Sequence, residues 1–174
     1  MPTYTQIGSA VSVGVLGAAT IDFTAIPSTY TDLVLKMSLR TNRVAADIDE
    51  ALMTFNGATS NFSFRYIWGF GSGTPSSDNG SAQAAIYGIS TSDNANTAST
   101  FGNLEIYIPN YAGSTNKSFS VDAVTENNAT TANTSLLAGL WSSSAAITSI
   151  KFAPRIGTLF TQYSTAYLYG VSNA

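Results

Sequence analysis

The sequence predicts an all-β protein, an antiparallel two-sheet β-sandwich of jelly-roll-like type with about ten strands. Three observations carry that expectation. Residues 30–40 alternate strictly, with Leu33, Leu35, Met37 and Leu39 on one parity and Asp32, Val34, Lys36, Ser38 and Arg40 on the other. This is the period of a strand with one face on a core; as a helix, the same apolar residues would scatter around the circumference. The rest of the chain breaks into similarly short apolar segments parted by Gly, Pro and Asn-Gly turns. None keeps a helical period or a heptad.

In chain order, short strands are expected at 4–7 and 11–16, where Gly8, Gly14 and Gly17 allow bends, and at 19–23, where Ile21 and Phe23 alternate with Thr20 and Asp22. Pro27 and Ser28 punctuate the entry to the 30–40 strand, since proline resets the chain before a strand but cannot donate within one. At roughly 3.3 Å per residue, that strand is long enough to run the height of a sandwich. Its odd residues are expected in the inter-sheet core, with Lys36 and Arg40 outside. A strand at 51–55 stops at Asn56-Gly57, both tolerant of positive φ. Residues 62–68 place Phe62, Phe64, Tyr66 and Trp68 on one face, as a packed sheet does. Residues 69–80 read as a long loop, 82–89 as a strand and 90–100 as a second polar loop. Alternation returns at 101–108 and 118–124, around a turn at Pro109-Asn110. Residues 125–134 read as polar linker, and 135–142, 147–152 and 158–171 as closing strands.

With 174 residues the chain suits one domain, read as N-terminal strands or an arm over 1–20 and one sandwich over 21–174. Only 10% of residues are charged, against roughly 25% in ordinary soluble domains. Such a polar, weakly charged surface suits a protein held in an assembly or outside a cell. The seven basic residues are scattered and the net charge is −3, so no phosphate-attracting field forms and no nucleic-acid partner is expected. The apolar run at 10–21 is glycine-broken and too short to span a bilayer, so no membrane partner is expected. Met1-Pro2-Thr3-Tyr4 lacks the basic start of a secretion leader. There is no cysteine and no histidine, which removes thiolate sites and the commonest general base and zinc ligand.

Few constellations carry chemistry. Asp47, Asp49 and Glu50 crowd together and offer oxygen ligands for calcium, but match no EF-hand spacing, and no metal or other cofactor is expected. Asp22, Asp32, Glu105, Asp122 and Glu126 lie on or near predicted strands; a glycosidase would need two of them facing each other. Their mostly outward parity favours solvated positions, and no catalytic residue is assigned. Glycines 69, 71 and 73 lack the following helix of a dinucleotide loop. Trp68 and Phe70 flank that stretch and are the candidates for contact with a partner or a glycan.

Several segments together resemble a module of tailed-bacteriophage structural proteins: Ile26-Pro-Ser-Thr-Tyr-Thr-Asp-Leu-Val-Leu, Phe55-Asn-Gly, Ile106-Tyr-Ile-Pro-Asn-Tyr-Ala-Gly-Ser-Thr-Asn-Lys-Ser and Tyr167-Leu-Tyr-Gly-Val. The resemblance runs from about residue 21 to 171 and implies a β-sandwich of the kind found in capsid decoration (cement) proteins and tail-fibre proteins. It brings no catalytic residues. A fibre needs a shaft, whereas a clamp on neighbouring capsid subunits needs only a compact module. The expectation is therefore a virion decoration protein on the capsid exterior, a homotrimer bound to major capsid protein subunits. The alternative is a tail-fibre module reading a host surface glycan through the 69–80 and 90–100 loops. A carbohydrate-active enzyme is a third reading.

Overall fold

The computed structural model describes residues 1–44 and 47–172. Among them are β1 (Thr3–Gln6), β2 (Val11–Ser12), β3 (Ile21–Phe23), β4 (Asp32–Leu39), β5 (Ile48–Phe55), β6 (Phe62–Phe70) and β7 (Ser76–Gln83). There follow β8 (Ile86–Ser92), β9 (Gly102–Pro109), β10 (Lys117–Glu126), β11 (Ala132–Trp141), β12 (Ile150–Pro154) and β13 (Thr165–Ser172). The chain is all-β, with no helix among the described residues, and its two sheets are antiparallel throughout, as expected of a sandwich. Thirteen strands replace the expected ten or so.

The sheets are unequal. The larger has nine strands, ordered β1-β13-β4-β9-β10-β11-β6-β7 with β2 added on β13; the smaller is β3-β12-β5-β8. The N-terminal strands β1 and β2 both hydrogen-bond to β13 and so extend the large sheet. β4 lies between β13 and β9, and Leu33, Leu35, Met37 and Leu39 are buried as the alternation requires. Leu35 pairs with Leu168 on one side and Ile106 on the other. These residues share one core with Ile21, Ala51, Met53, Phe55, Ile150 and Phe152 of the small sheet.

An aromatic knot closes the middle of that core. The Phe55 ring meets Phe62, Phe119 and Trp141 edge-on at centroid distances of 5.9, 5.5 and 5.7 Å, a geometry aromatic quadrupoles favour. Gly139, the cross-strand partner of Phe119, leaves room for that ring; a Cβ there would lie 2.1 Å from it. The Asn56-Gly57 turn forms as read, with φ of 52° and 67°. The Asn56 side-chain oxygen also accepts from the amides of Thr148 and Ser149 at 2.8 and 3.0 Å, tying the turn to the start of β12.

Several stretches depart from the sequence reading, and the strands expected at 11–16 and 158–171 form only over β2 and β13. Residues 69–80 are not one long loop: β7 begins at Ser76 and pairs with β6, leaving only a short turn. As an edge strand exposed on nearly every residue, β7 needs no apolar alternation, so its sequence carries no strand signal. The expected 82–89 strand is broken, because β7 ends at Gln83 and β8 starts at Ile86. Residues 125–134 are not a linker but a hairpin, β10 and β11 joined by a turn at 127–131 in which Asn127 N donates to Thr131 O at 3.1 Å. The inward residues there, Thr125, Asn133 and Ser135, are polar yet buried, and this hides the period. Val34, expected on solvent, is buried between its cross-strand neighbours Tyr107 and Tyr169.

The position of Leu35 predicts the size of two effects. Leu35→Ala should lower unfolding free energy by about 2–5 kcal/mol in urea titration. Leu35→Asp should give no cooperative unfolding transition, because an unpaired carboxylate cannot be buried cheaply.

Candidate functional site

The small sheet packs on one face of the large sheet, and the other face has no layer on it. Strand registers set out its surface in rows. One row runs Val34, Tyr107, Ser120, Ala138, Arg65; the next Lys36, Glu105, Asp122, Leu136, Ile67; the third Ser38, Asn103, Val124, Thr134, Gly69. Outward positions on sheets usually carry polar groups. Here Tyr107, Val124, Leu136 and Ile67 are 41–52% exposed.

The face is shallowly hollowed in three connected places. A groove of about 370 Å³ over β9 and β10 is lined by Asn103, Glu105, Tyr107, Asp122 and Val124, and ends on Leu136. A strip of about 340 Å³ continues past Arg65, Ile67 and Ala138. It leads to a nearly all-apolar recess of about 220 Å³ bounded by Ile67, Trp68, Gly69, Pro75, Thr134 and Leu136. Aromatic, amide and carboxylate groups thus line one end of this surface and an apolar notch the other.

Its charges are few and mostly anchored. Lys36 Nζ donates to Glu105 Oε2 at 2.8 Å, and that bond raises the Lys36 pKa. Tyr107 OH donates to Asp32 Oδ2 at 2.8 Å, holding the ring in place and raising the phenol pKa. Asp32 Oδ1 accepts from Asn110 N at 2.9 Å. Of the carboxylates weighed for glycoside cleavage, Glu105 and Asp122 are direct cross-strand partners. They lie side by side on one surface, one already engaged by Lys36, rather than on opposite walls of a cleft. Asp22 is near Lys151, Asp32 is held as above, and Glu126 accepts from Asn128 N in the β10–β11 turn.

The acidic trio at the start of β5 is dispersed. Asp49 is buried, and its carboxylate accepts from Thr41 Oγ1 at 2.9 Å and from the amides of Glu50, Ile156 and Gly157 at 2.8–3.2 Å. Glu50 accepts from Arg155 at 2.6 Å and from Gly88 N at 2.7 Å. Among the described residues no group of three metal-binding side chains converges. Asp49 is a splice between strands.

Arg40 overturns its expected exposure: only 5% of it is accessible. The loop at 93–101 folds over it. Its guanidinium donates to Asn94 Oδ1, Asn96 O, Thr97 O, Thr100 O and Thr100 Oγ1, all at 2.8–3.3 Å. That loop touches the 127–131 turn through Thr97 Oγ1 to Asn127 O, and Gly71 N donates to Ala132 O at 2.8 Å. The two loops suspected from sequence thus share one end of the molecule, bridged by the β10–β11 turn.

Trp68 and Phe70 do not form one exposed platform. Trp68 is half-buried and stacks on Tyr66 at 5.0 Å, while Phe70, at the end of β6 opposite Asn133, is open to solvent. Sequence reasoning missed Ile67, Tyr107, Val124 and Leu136. The available signal was their outward parity, where an apolar residue contradicts a solvated sheet.

Two outcomes follow from these contacts. Arg40→Met should lower stability by about 2 kcal/mol through its stranded acceptors, and amide exchange across 93–100 should quicken. Tyr66, pushed up to about 12 by burial and then by Glu50, keeps its proton in the native state after the unfolded chain loses it near pH 10. Its contribution is therefore complete below about pH 10 and is lost as pH rises toward 12. Urea midpoints measured from pH 9 to 12 should fall less steeply in Tyr66→Phe.

Compared with models of protein families, with curated proteins and with solved structures, the chain gives no significant match.

Proposed function

We propose that the chain is a structural protein of a tailed-bacteriophage virion, a capsid decoration protein that sits on the shell exterior as a homotrimer and stabilises it. The observation that carries this reading is the unlayered face of the large sheet, where Tyr107 and Val124 stand exposed over the groove on β9 and β10. An exposed tract of that kind marks an interaction surface. Only 10% of residues are charged, so a neighbour can cover much of the surface without desolvating many ions. The groove offers major capsid protein subunits apolar contact at Val124, a fixed phenol at Tyr107 and a carboxylate at Asp122, which makes no ion pair among the described residues. Many copies of a modest contact then add up over a shell.

A second reading, a tail module recognising a host surface glycan, is favoured by the gathering of the 71–75, 93–101 and 127–131 loops at one end. Their Asn, Ser and Thr side chains suit sugar hydroxyls.

Co-sedimentation with purified expanded shells tests the first reading. The protein should pellet with the shells, and Val124→Asp and Tyr107→Ser should each weaken binding at least about tenfold. Binding to host cells with none to shells would replace it with the second.

A further inference from the structure

The chain contains two Asn-Gly pairs, at 56–57 and 79–80. Such a pair is reactive in itself. The Gly backbone nitrogen attacks the Asn Cγ, because glycine has no Cβ to block the approach and its backbone turns freely. The new C–N bond closes a five-membered succinimide, and Nδ2 leaves as ammonia together with the backbone proton. Water then adds to one of the two imide carbonyls and opens the ring. The product is aspartate or, with the chain rerouted through the side chain, isoaspartate. In a folded protein the reaction requires that Cγ be free to swing onto that nitrogen.

Asn56 has no such freedom. Its Nδ2 donates to Ala146 O at 2.7 Å. Its Oδ1 accepts from Thr148 N, Ser149 N and Thr148 Oγ1 at 2.8, 3.0 and 3.2 Å. The leaving nitrogen and the carbonyl oxygen are both fixed, so Cγ cannot turn toward Gly57 N without breaking these bonds.

Asn79 is the opposite case. It lies on β7, an edge strand paired on one side only, in which Gly80 is the one buried residue. Its side chain is exposed and makes no hydrogen bond among the described residues. The β6–β7 register shifts just past the Phe64–Gly80 pair, and Ala82 sits at φ 52°, so Asn79 is near the end of the regular pairing. Segments with few buried contacts open locally at low cost. Packing also keeps the glycine in place, since a Cβ on Gly80 would lie 2.6 Å from the Phe64 ring. We propose that Asn79 is a site of spontaneous deamidation, and that the fold protects Asn56 from the same reaction.

The change bears on the outward face of the large sheet. Asn79 is the cross-strand partner of Arg65, which lines the strip beside Ile67 and makes no ion pair among the described residues. Aspartate at 79 sets a carboxylate opposite that guanidinium, and opposite charges facing across a strand pair stabilise it. Isoaspartate instead lengthens the backbone by one carbon and disrupts the β6–β7 pairing.

Peptide mapping by mass spectrometry, on folded protein held in warm, mildly alkaline buffer, tests the site. Amide-to-acid conversion at Asn79 should run at least about tenfold faster than at Asn56, because opening an edge costs less than releasing a held turn. In concentrated urea the two rates should converge. Equal rates in the folded protein, or an intact Asn79 amide after the urea sample has converted, would overturn the proposal. Asn79→Asp should melt above the parent at low salt, and the gain should vanish when Arg65→Gln is added. A melting temperature at or below the parent's would overturn the pairing with Arg65.

Discussion

The register of β4 is the constraint on which the rest depends. It pairs with β13 over residues 32–38 and with β9 over 32–39, and its odd side chains carry the inter-sheet core. Side chains on a strand alternate with a period of two, so a slip of one residue would turn Leu33, Leu35, Met37 and Leu39 to solvent. It would also shift every row on the outward face. Lys36 meets Glu105 only in this register, and Glu105 then stands opposite Asp122. The apolar core and the outward surface are thus set by one pairing. Core packing is indirectly what aligns the groove.

The interior is not uniform along its height. Around the β4 midpoint it is aliphatic and aromatic; toward the 93–101 end it becomes polar, with Thr41, Asp49, Thr91, Asn96, Thr125, Asn133 and Ser135 all buried. Buried polar groups are tolerable when paired; Arg40 and Asp49 pair the 93–101 loop and Thr41, whereas Ser135 Oγ and the side-chain oxygens of Asn96 and Asn133 have no partner among the described residues. One cation satisfies five acceptors of a loop, and one carboxylate collects a hydroxyl and three amides. A loop organised by a buried guanidinium has less freedom to lose on binding. The polar end of the core therefore holds its loops already ordered.

This division explains what could be read from the sequence. Apolar alternation revealed β4, β9 and most of β10, and Asn56-Gly57 revealed a turn, because in each case the local signal and the tertiary role agree. The signal failed where burial is polar, as at Thr125 and Asn133, and where a strand needs no burial, as in β7. Arg40 was misplaced for a related reason: its parity points outward, but parity does not report that a loop distant in sequence will fold over it. The outward face was half legible. Val124 sits on solvent parity beside the plain inner residues Val121 and Ala123, whereas Leu136 follows the polar inner residues Asn133 and Ser135, and only the pairing of β10, β11 and β6 shows that the two adjoin.

The outer face of the large sheet is the last step. The small sheet packs on the opposite face, so outward side chains of β9, β10, β11 and β6 gain no cover from the fold. Exposed apolar groups weaken solubility, and a sheet free to choose would carry charge there, as edge and surface positions commonly do. This chain keeps Tyr107, Val124, Leu136 and Ile67 on those positions, beside a Lys36–Glu105 pair and Asp122, unpaired among the described residues. The arrangement contributes nothing to folding one copy. On the proposed reading, a shell subunit seated on the groove supplies the cover that these side chains lack.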